Sequence, residues 1–161
     1  MKGDPSVIDV LNAGLTIELT AINQYFIQAK MCANWGYKHL GKHFWDESIE
    51  EMKHAEYLID RILFLDGVPE IARYDVIRVG QSVPEQLDNS LKLELNAVVT
   101  YNDGIRLAAD KKDNGSREVM ERILKETEES VDWLEAQQHI IATTSVELYL
   151  ATQATGCAEG D

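Results

Sequence analysis

A chain of 161 residues with 45% hydrophobic content is long enough for one folded domain with a sizeable core. Its net charge of −13 argues against nucleic acid as the main partner and leaves cations as the ligands its surface would gather. Two cysteines, Cys32 and Cys157, make neither a disulfide framework nor a metal-ligand spacing, and no signal peptide or membrane span is visible, so a reducing cytoplasm is the expected setting.

Asp4-Pro5 opens the first helix, with Pro near the first helical position, and the pattern runs to about Asn34-Trp35-Gly36. One stripe steps by threes and fours through Val7, Leu11, Gly14, Glu18, Ala21, Tyr25 and Cys32. Glu18 is its only charge, and Cys32 reads as core. A neighbouring stripe is Leu19, Ile22, Asn23, Phe26. The second helix spans about Lys38 to Asp66 and stops at Asp66-Gly67-Val68-Pro69. Its core face carries Phe44, Ala55, Leu58, Ile62 and Leu65, and Glu51 and His54 fall on that same face. A second stripe, Trp45, Ile49, Met52, is rotated from it by roughly 100°. Pro69 to Ser82 has no helical period. Ile71, Tyr74, Val76, Ile77 and Val79 make it apolar, which predicts a packed crossover rather than a linker.

Ser82-Val83-Pro84-Glu85 is a helix start, with Ser as N-cap. The third helix runs to about Lys112 on the stripe Leu87, Leu91, Glu94, Val98, Tyr101, Ile105, Ala108, again interrupted by one Glu. Asp113-Asn114-Gly115-Ser116 reads as a short turn. The fourth helix runs from about Ser116 to Ala142 on Met120, Ile123, Leu124, Thr127, Val131, Leu134 and Ile141. Val146 to about Ala154 predicts a short fifth helix, and Gly156 to Asp161 reads as frayed. Four long helices with a long crossover between the second and third are the ferritin-like form of a four-helix bundle. The whole of 1–161 is expected to be one such all-α domain.

Three glutamates on three apolar stripes, one of them followed by His54 three residues on, need partners or a metal, because burying an unpaired charge is expensive. A di-iron carboxylate bundle takes one Glu from each of two helices and a Glu-x-x-His from each of the other two. Glu18 and Glu94 are the single glutamates, and Glu51-x-x-His54 is one pair. The stripe puts the second pair at positions occupied by Thr127 and Ser130. Glu126 and Glu128 lie roughly 100° to either side of 127 and Glu129 nearly opposite, so none is expected to face the core. One metal keeps three ligands; the other has lost a carboxylate and an imidazole. His39, His43 and His139 lack paired spacing and read as surface or interface residues.

Glu18-Leu19-Thr20-Ala21 with Asn23-Gln24-Tyr25, Glu50-Glu51-Met52-Lys53-His54-Ala55, Arg61 through Gly67, Leu93-Glu94 and Asp132-Trp133-Leu134-Glu135 make the chain resemble a bacterioferritin over essentially its whole length. The last segment aligns the family's Glu and His ligands on that helix with Thr127 and Ser130. The resemblance implies metal ligands at Glu18, Glu51, His54 and Glu94, with Tyr25 nearby. It also implies Met52 as axial ligand of a haem b, one haem per two subunits, in an apolar pocket suited by Leu19, Ile22, Asn23, Phe26, Trp45 and Ile49. A hollow cytoplasmic shell of 24 subunits storing ferric mineral follows from the same resemblance, with Asp46, Glu47 and Glu50 as an acidic inner patch where iron collects. The departure at Thr127 and Ser130 predicts ferroxidase chemistry that is absent or crippled in this subunit alone. The expected role is a haem-bearing subunit of a homo- or hetero-oligomeric shell. A second subunit type would oxidise ferrous iron, and a small ferredoxin would supply electrons for release. The rival readings are a ferroxidase with an unusual metal site and a haem electron-transfer shell without an iron store. A DNA-protecting mini-ferritin is disfavoured by the fifth helix, Met52 and the lack of a basic tail.

Overall fold

The computed structural model describes residues 1–154; Cys157 and the frayed end expected at 156–161 lie outside the described residues. The elements are α1 Pro5–Asn34, α2 Lys38–Phe64, α3 Val83–Asp110, α4 Asn114–Thr143 and α5 Val146–Ala154, with no strand among the described residues. The long helices hold 27 to 30 residues each, so each is roughly 40–45 Å long. This is the expected ferritin-like bundle, and α5 packs on α2 and α4.

The helix starts follow from their caps. Asp4 accepts the Ser6 N–H at 2.8 Å, and Ser82 accepts the Glu85 N–H. The fourth helix begins two residues before its expected start. Asp113 is its N-cap, accepting the Ser116 N–H at 3.0 Å, so Asn114 and Gly115 lie inside the first turn. An Asn-Gly pair ordinarily signals a turn. Here the Arg61 guanidinium crowds Gly115, where any Cβ would come within 2.6 Å of it.

All seven residues of the first α1 stripe are buried. By length and composition α1 is apolar enough to cross a membrane, yet 56% of that window is buried inside the bundle. The core falls into two apolar clusters. One gathers Val7, Leu11, Leu58, Ile62, Met120 and Ile123; the other gathers Tyr25, Cys32, Phe44, Leu87, Leu134 and Tyr149. Between their positions on the helices lie Glu18, Glu51, His54, Glu94 and Thr127, all buried.

From Leu65 to Ser82 the chain forms an extended strap along α1. Four α1 side chains take its backbone in order. Asn12 bonds Val68 O and Glu70 N–H, Thr20 bonds Asp75 N–H, Gln24 bonds Arg78 N–H, and Gln28 bonds Val79 O. Rising numbers meet rising numbers, so the strap runs parallel to α1 and starts α3 at α1's far end. α3 is therefore antiparallel to α1. The crossover is held by these hydrogen bonds rather than by the apolar burial its composition predicted: Val68 is 76% exposed, Ile71 62% and Val76 64%.

Candidate metal centre

Glu18, Glu51 and His54 each present a ligand atom, and these atoms all lie within 4.8 Å of one another. His54 Nδ1 is 2.9 Å from Glu51 Oε2 and 3.4 Å from Glu18 Oε2. The far ring nitrogen, Nε2, is 2.6 Å from Glu126 Oε2. The Nε2–H tautomer of His54 donates to that carboxylate oxygen. A carboxylate so placed fixes the ring and, in the neutral imidazole, leaves the Nδ1 lone pair facing a cation. Two carboxylates and an imidazole suit a divalent first-row metal. Tyr101 donates its phenolic proton to Glu18 Oε1, and Tyr25 donates to Glu94 Oε1. Glu94 lies outside the three-residue set.

Burial pushes the Glu51 carboxyl well up, and the neighbouring Glu18 charge adds to it. Burial likewise raises Glu94, against the hydrogen bond from Tyr25 and with the negative field of Glu18 and Glu47, to about 8. Glu18 is the exception. Burial would raise it, but hydrogen bonds with Glu51 and His54 outweigh that and hold it below the usual range. Burial would depress the His54 imidazole, yet its bonds to Glu18 and Glu51 lift it to about 12. Without a metal the centre thus sets the His54 imidazolium against the Glu18 carboxylate, with protons favoured on Glu51 and Glu94. A cation entering the site must displace protons, so its affinity falls as pH falls.

The positions where the stripe puts a second pair carry hydroxyls turned to other partners. Thr127 Oγ1 turns back to donate to Ile123 O at 2.9 Å, and Ser130 Oγ donates to Glu47 Oε2 at 3.0 Å. The helical period places Glu126 off the core face; its backbone is off that face, but two methylenes carry its carboxylate in to His54. Glu47 leaves the expected surface patch in the same way. It is half-buried, and burial raises its carboxyl, against the Ser130 bond. His43, expected at the surface, stacks on Trp133 with ring centroids 3.6 Å apart, and burial lowers it to about 4, which keeps it neutral at pH 7. His39 and His139 are exposed, as expected. His43, Glu47, Glu50, Glu126 and Ser130 line a cavity of about 590 Å³ that opens the centre to solvent. The signal for His43 and Glu47 was available: with Glu51 they step by four along one edge of the core face.

A separate groove lies on the outer side of α1 and α2. Leu19, Ile22 and Asn23 are half-buried, while Phe26, Trp45, Ile49 and Met52 are exposed, Met52 by 52%. Within one chain Met52 is therefore not buried, because its stripe is rotated off the core. Phe26 and Trp45 meet at a tilt of 49° with ring centroids 5.6 Å apart, and Leu19, Ile22, Ile49 and Met52 wall a cavity of about 680 Å³ with Lys53, Glu56 and Asp60 at its rim. An exposed apolar patch of this kind is an interaction surface.

Comparison with known proteins agrees with this architecture. A ferritin-like domain family model matches residues 8–143. Bacterioferritin BfrA of Mycobacterium tuberculosis is 43% identical over 151 residues, 94% of this chain and 95% of the relative. The bacterioferritin of Streptomyces coelicolor is 46% identical over 152 residues, 94% and 91% of the two chains. The solved structure of Mycobacterium tuberculosis BfrA superposes with a TM-score of 0.95 at 42% identity, over 96% of this chain and 98% of that one. An α1–α4 bundle with a strap crossover, a buried Glu-Glu-His seat and these matches along nearly the whole length place the chain in the bacterioferritin family.

Proposed function

We propose that this chain is an iron-storing shell subunit that binds haem through Met52, holds one cation at Glu18, Glu51 and His54, and depends on a second subunit type for fast oxidation of ferrous iron. The observation that carries this is the asymmetry of the centre. Three ligand atoms converge on one side, while on the other Thr127 is bonded to its own helix and Ser130 to Glu47. An oxidation that passes two electrons to dioxygen needs two irons side by side, and neutral hydroxyls are weak ligands for the second. Iron is the substrate and cargo; Glu18 and Glu51 draw it in, and His54, held by Glu126, supplies the nitrogen.

The outer groove fits a haem b. Its walls are apolar, Met52 offers a soft thioether, and Lys53 at the rim suits a propionate. Half-exposure of Met52 fits a group shared between two copies of the chain, one Met from each. Bound there, the haem would supply one-electron transfer between a reductant outside, such as a small ferredoxin, and the mineral. The chain's own part is to hold it, with Leu19, Ile22 and Ile49 as the apolar wall beside Met52. A 24-subunit cytoplasmic shell, homo- or hetero-oligomeric, is the assembly that the family reading supports.

One observation favours a second reading, a ferroxidase with an unusual site. Glu47 and Glu126 both turn into the cavity beside Ser130, so carboxylates stand near the place of the missing ligands. Stopped-flow absorbance after mixing the homopolymer with ferrous iron in air separates the two. The first reading predicts oxidation scarcely faster than the uncatalysed reaction. A rapid saturable phase stoichiometric with subunits would reverse the choice.

A further inference from the structure

We infer that Tyr101 is a positioning residue of the cation seat, fixing Glu18 so that Oε2 faces His54 and the ion; this rests on the reading of Glu18, Glu51 and His54 as a cation site. The centre contains a two-fold arrangement that the separate stripes do not announce. α1 carries Glu18 and Tyr25 seven residues apart; α3 carries Glu94 and Tyr101 at the same separation. Two turns of helix advance roughly 10 Å, and α1 and α3 run in opposite directions. Each glutamate therefore comes opposite the other helix's tyrosine, and both cross-helix bonds form: Tyr101 to Glu18 and Tyr25 to Glu94.

The two halves differ in what the held carboxylate does. Glu18 belongs to the three-ligand seat and Glu94 does not. Tyr101 is 1% exposed and Glu18 2%, so no solvent replaces the phenol if it is lost. With Oε1 held by Tyr101, Oε2 is the oxygen left toward His54 Nδ1 at 3.4 Å. A buried carboxylate oxygen stripped of its donor is costly, and the group would turn away from the seat. Gly14, one turn before Glu18, belongs to the same unit. A Cβ there would stand 3.0 Å from Tyr101 Cε1 and 3.2 Å from its hydroxyl oxygen. A side chain at position 14 would press on the phenol, which would have to give by a few tenths of an ångström to keep its bond to Glu18.

The test is a titration of the metal-free assembled protein with Co(II), read by its visible d–d absorption, with thermal unfolding as the folding control. Tyr101→Phe is expected to weaken Co(II) binding by about tenfold or more and to alter the band shape, the size of effect seen when a ligand loses its orienting partner. Tyr25→Phe is expected to leave affinity within about twofold, because Glu94 lies outside the seat. Equal affinity and spectrum in Tyr101→Phe and the unmodified protein would overturn the inference. Equal weakening by both variants would overturn it too, as that marks general loosening of the helix pair. If the unmodified protein takes up no Co(II), the cation-seat reading itself fails and Tyr101's role falls with it. Gly14→Ala provides a variant that keeps the phenol but crowds it. It should weaken Co(II) in the same way, and unchanged affinity there counts against the inference.

Discussion

At the scale of single residues, the centre's character comes from the protons that its buried acids and His54 hold. Glu94 is raised from 4.5 to about 8 by burial first, then by the charges of Glu18 and Glu47. Between those values the folded chain binds more protons than the unfolded one, so stability falls as pH rises through that window. His54, lifted from 6.5 to about 12, works in the same direction. Its contribution is complete below 6.5 and is lost progressively as pH rises toward 12. Below pH 6.5 the lowered His43 opposes this trend, so the metal-free protein should show a Tm that declines from pH 6.5 to mildly alkaline pH when scanned by calorimetry with chelator present. Glu94→Gln should flatten the lower part of that decline and leave the upper part, which belongs to His54. A Tm that climbs across the same interval would contradict the proton inventory.

At the scale of elements, most of the bundle was legible because helical periodicity and caps are local signals. Pro5, Ser82 and the seven-residue α1 stripe specified α1 and α3 almost to the residue. What was not legible depends on reach or on partners from other helices. Asp113 caps α4 while its carboxylate also takes Arg61 at 2.6 Å, and Arg61 bonds Ser116 at 2.9 Å; these ties span more than fifty residues of sequence. Glu126 is legible as off-face and yet reaches His54, since periodicity describes backbone direction and not side-chain length. Asp113→Ala removes both the cap and the tie between α2 and α4, and should cost about 1–2 kcal/mol in chemical denaturation. The α1–α2 groove makes a different prediction. Met52 is the lone thioether among its wall residues, so Met52→Leu should abolish haem, read as the ratio of Soret to protein absorbance, with assembly unchanged by light scattering. Haem retained at full occupancy in that variant would remove Met52 from the proposal.

At the scale of the whole molecule, two sites of opposite kind share one α2 helix. The seat built on Glu51 and His54 faces the bundle interior, and Met52, one residue on from Glu51, faces out. On the proposed reading, a second metal position without ligands need not touch the outer groove, and a shell with two subunit types would divide oxidation from electron transfer. The proposed difference is narrow, one carboxylate and one imidazole, which makes it testable by substitution. Thr127→Glu with Ser130→His should restore rapid iron oxidation to the homopolymer in stopped-flow absorbance, and neither change alone should do so, because the second iron would still lack a ligand. The new side chains meet an already acidic neighbourhood. An imidazole at position 130 would displace the bond between Ser130 and Glu47, in a cavity already lined by Glu47, Glu50, Glu51 and Glu126. Without metal the double variant should lose a few kcal/mol, roughly the cost of added bulk and charge in a packed interior. Added divalent cation should recover that loss, since the charges would then be shared with the ion. A double variant that folds, binds two ions per subunit and still oxidises iron no faster than the unmodified chain would show that the missing ligands are not what limits it.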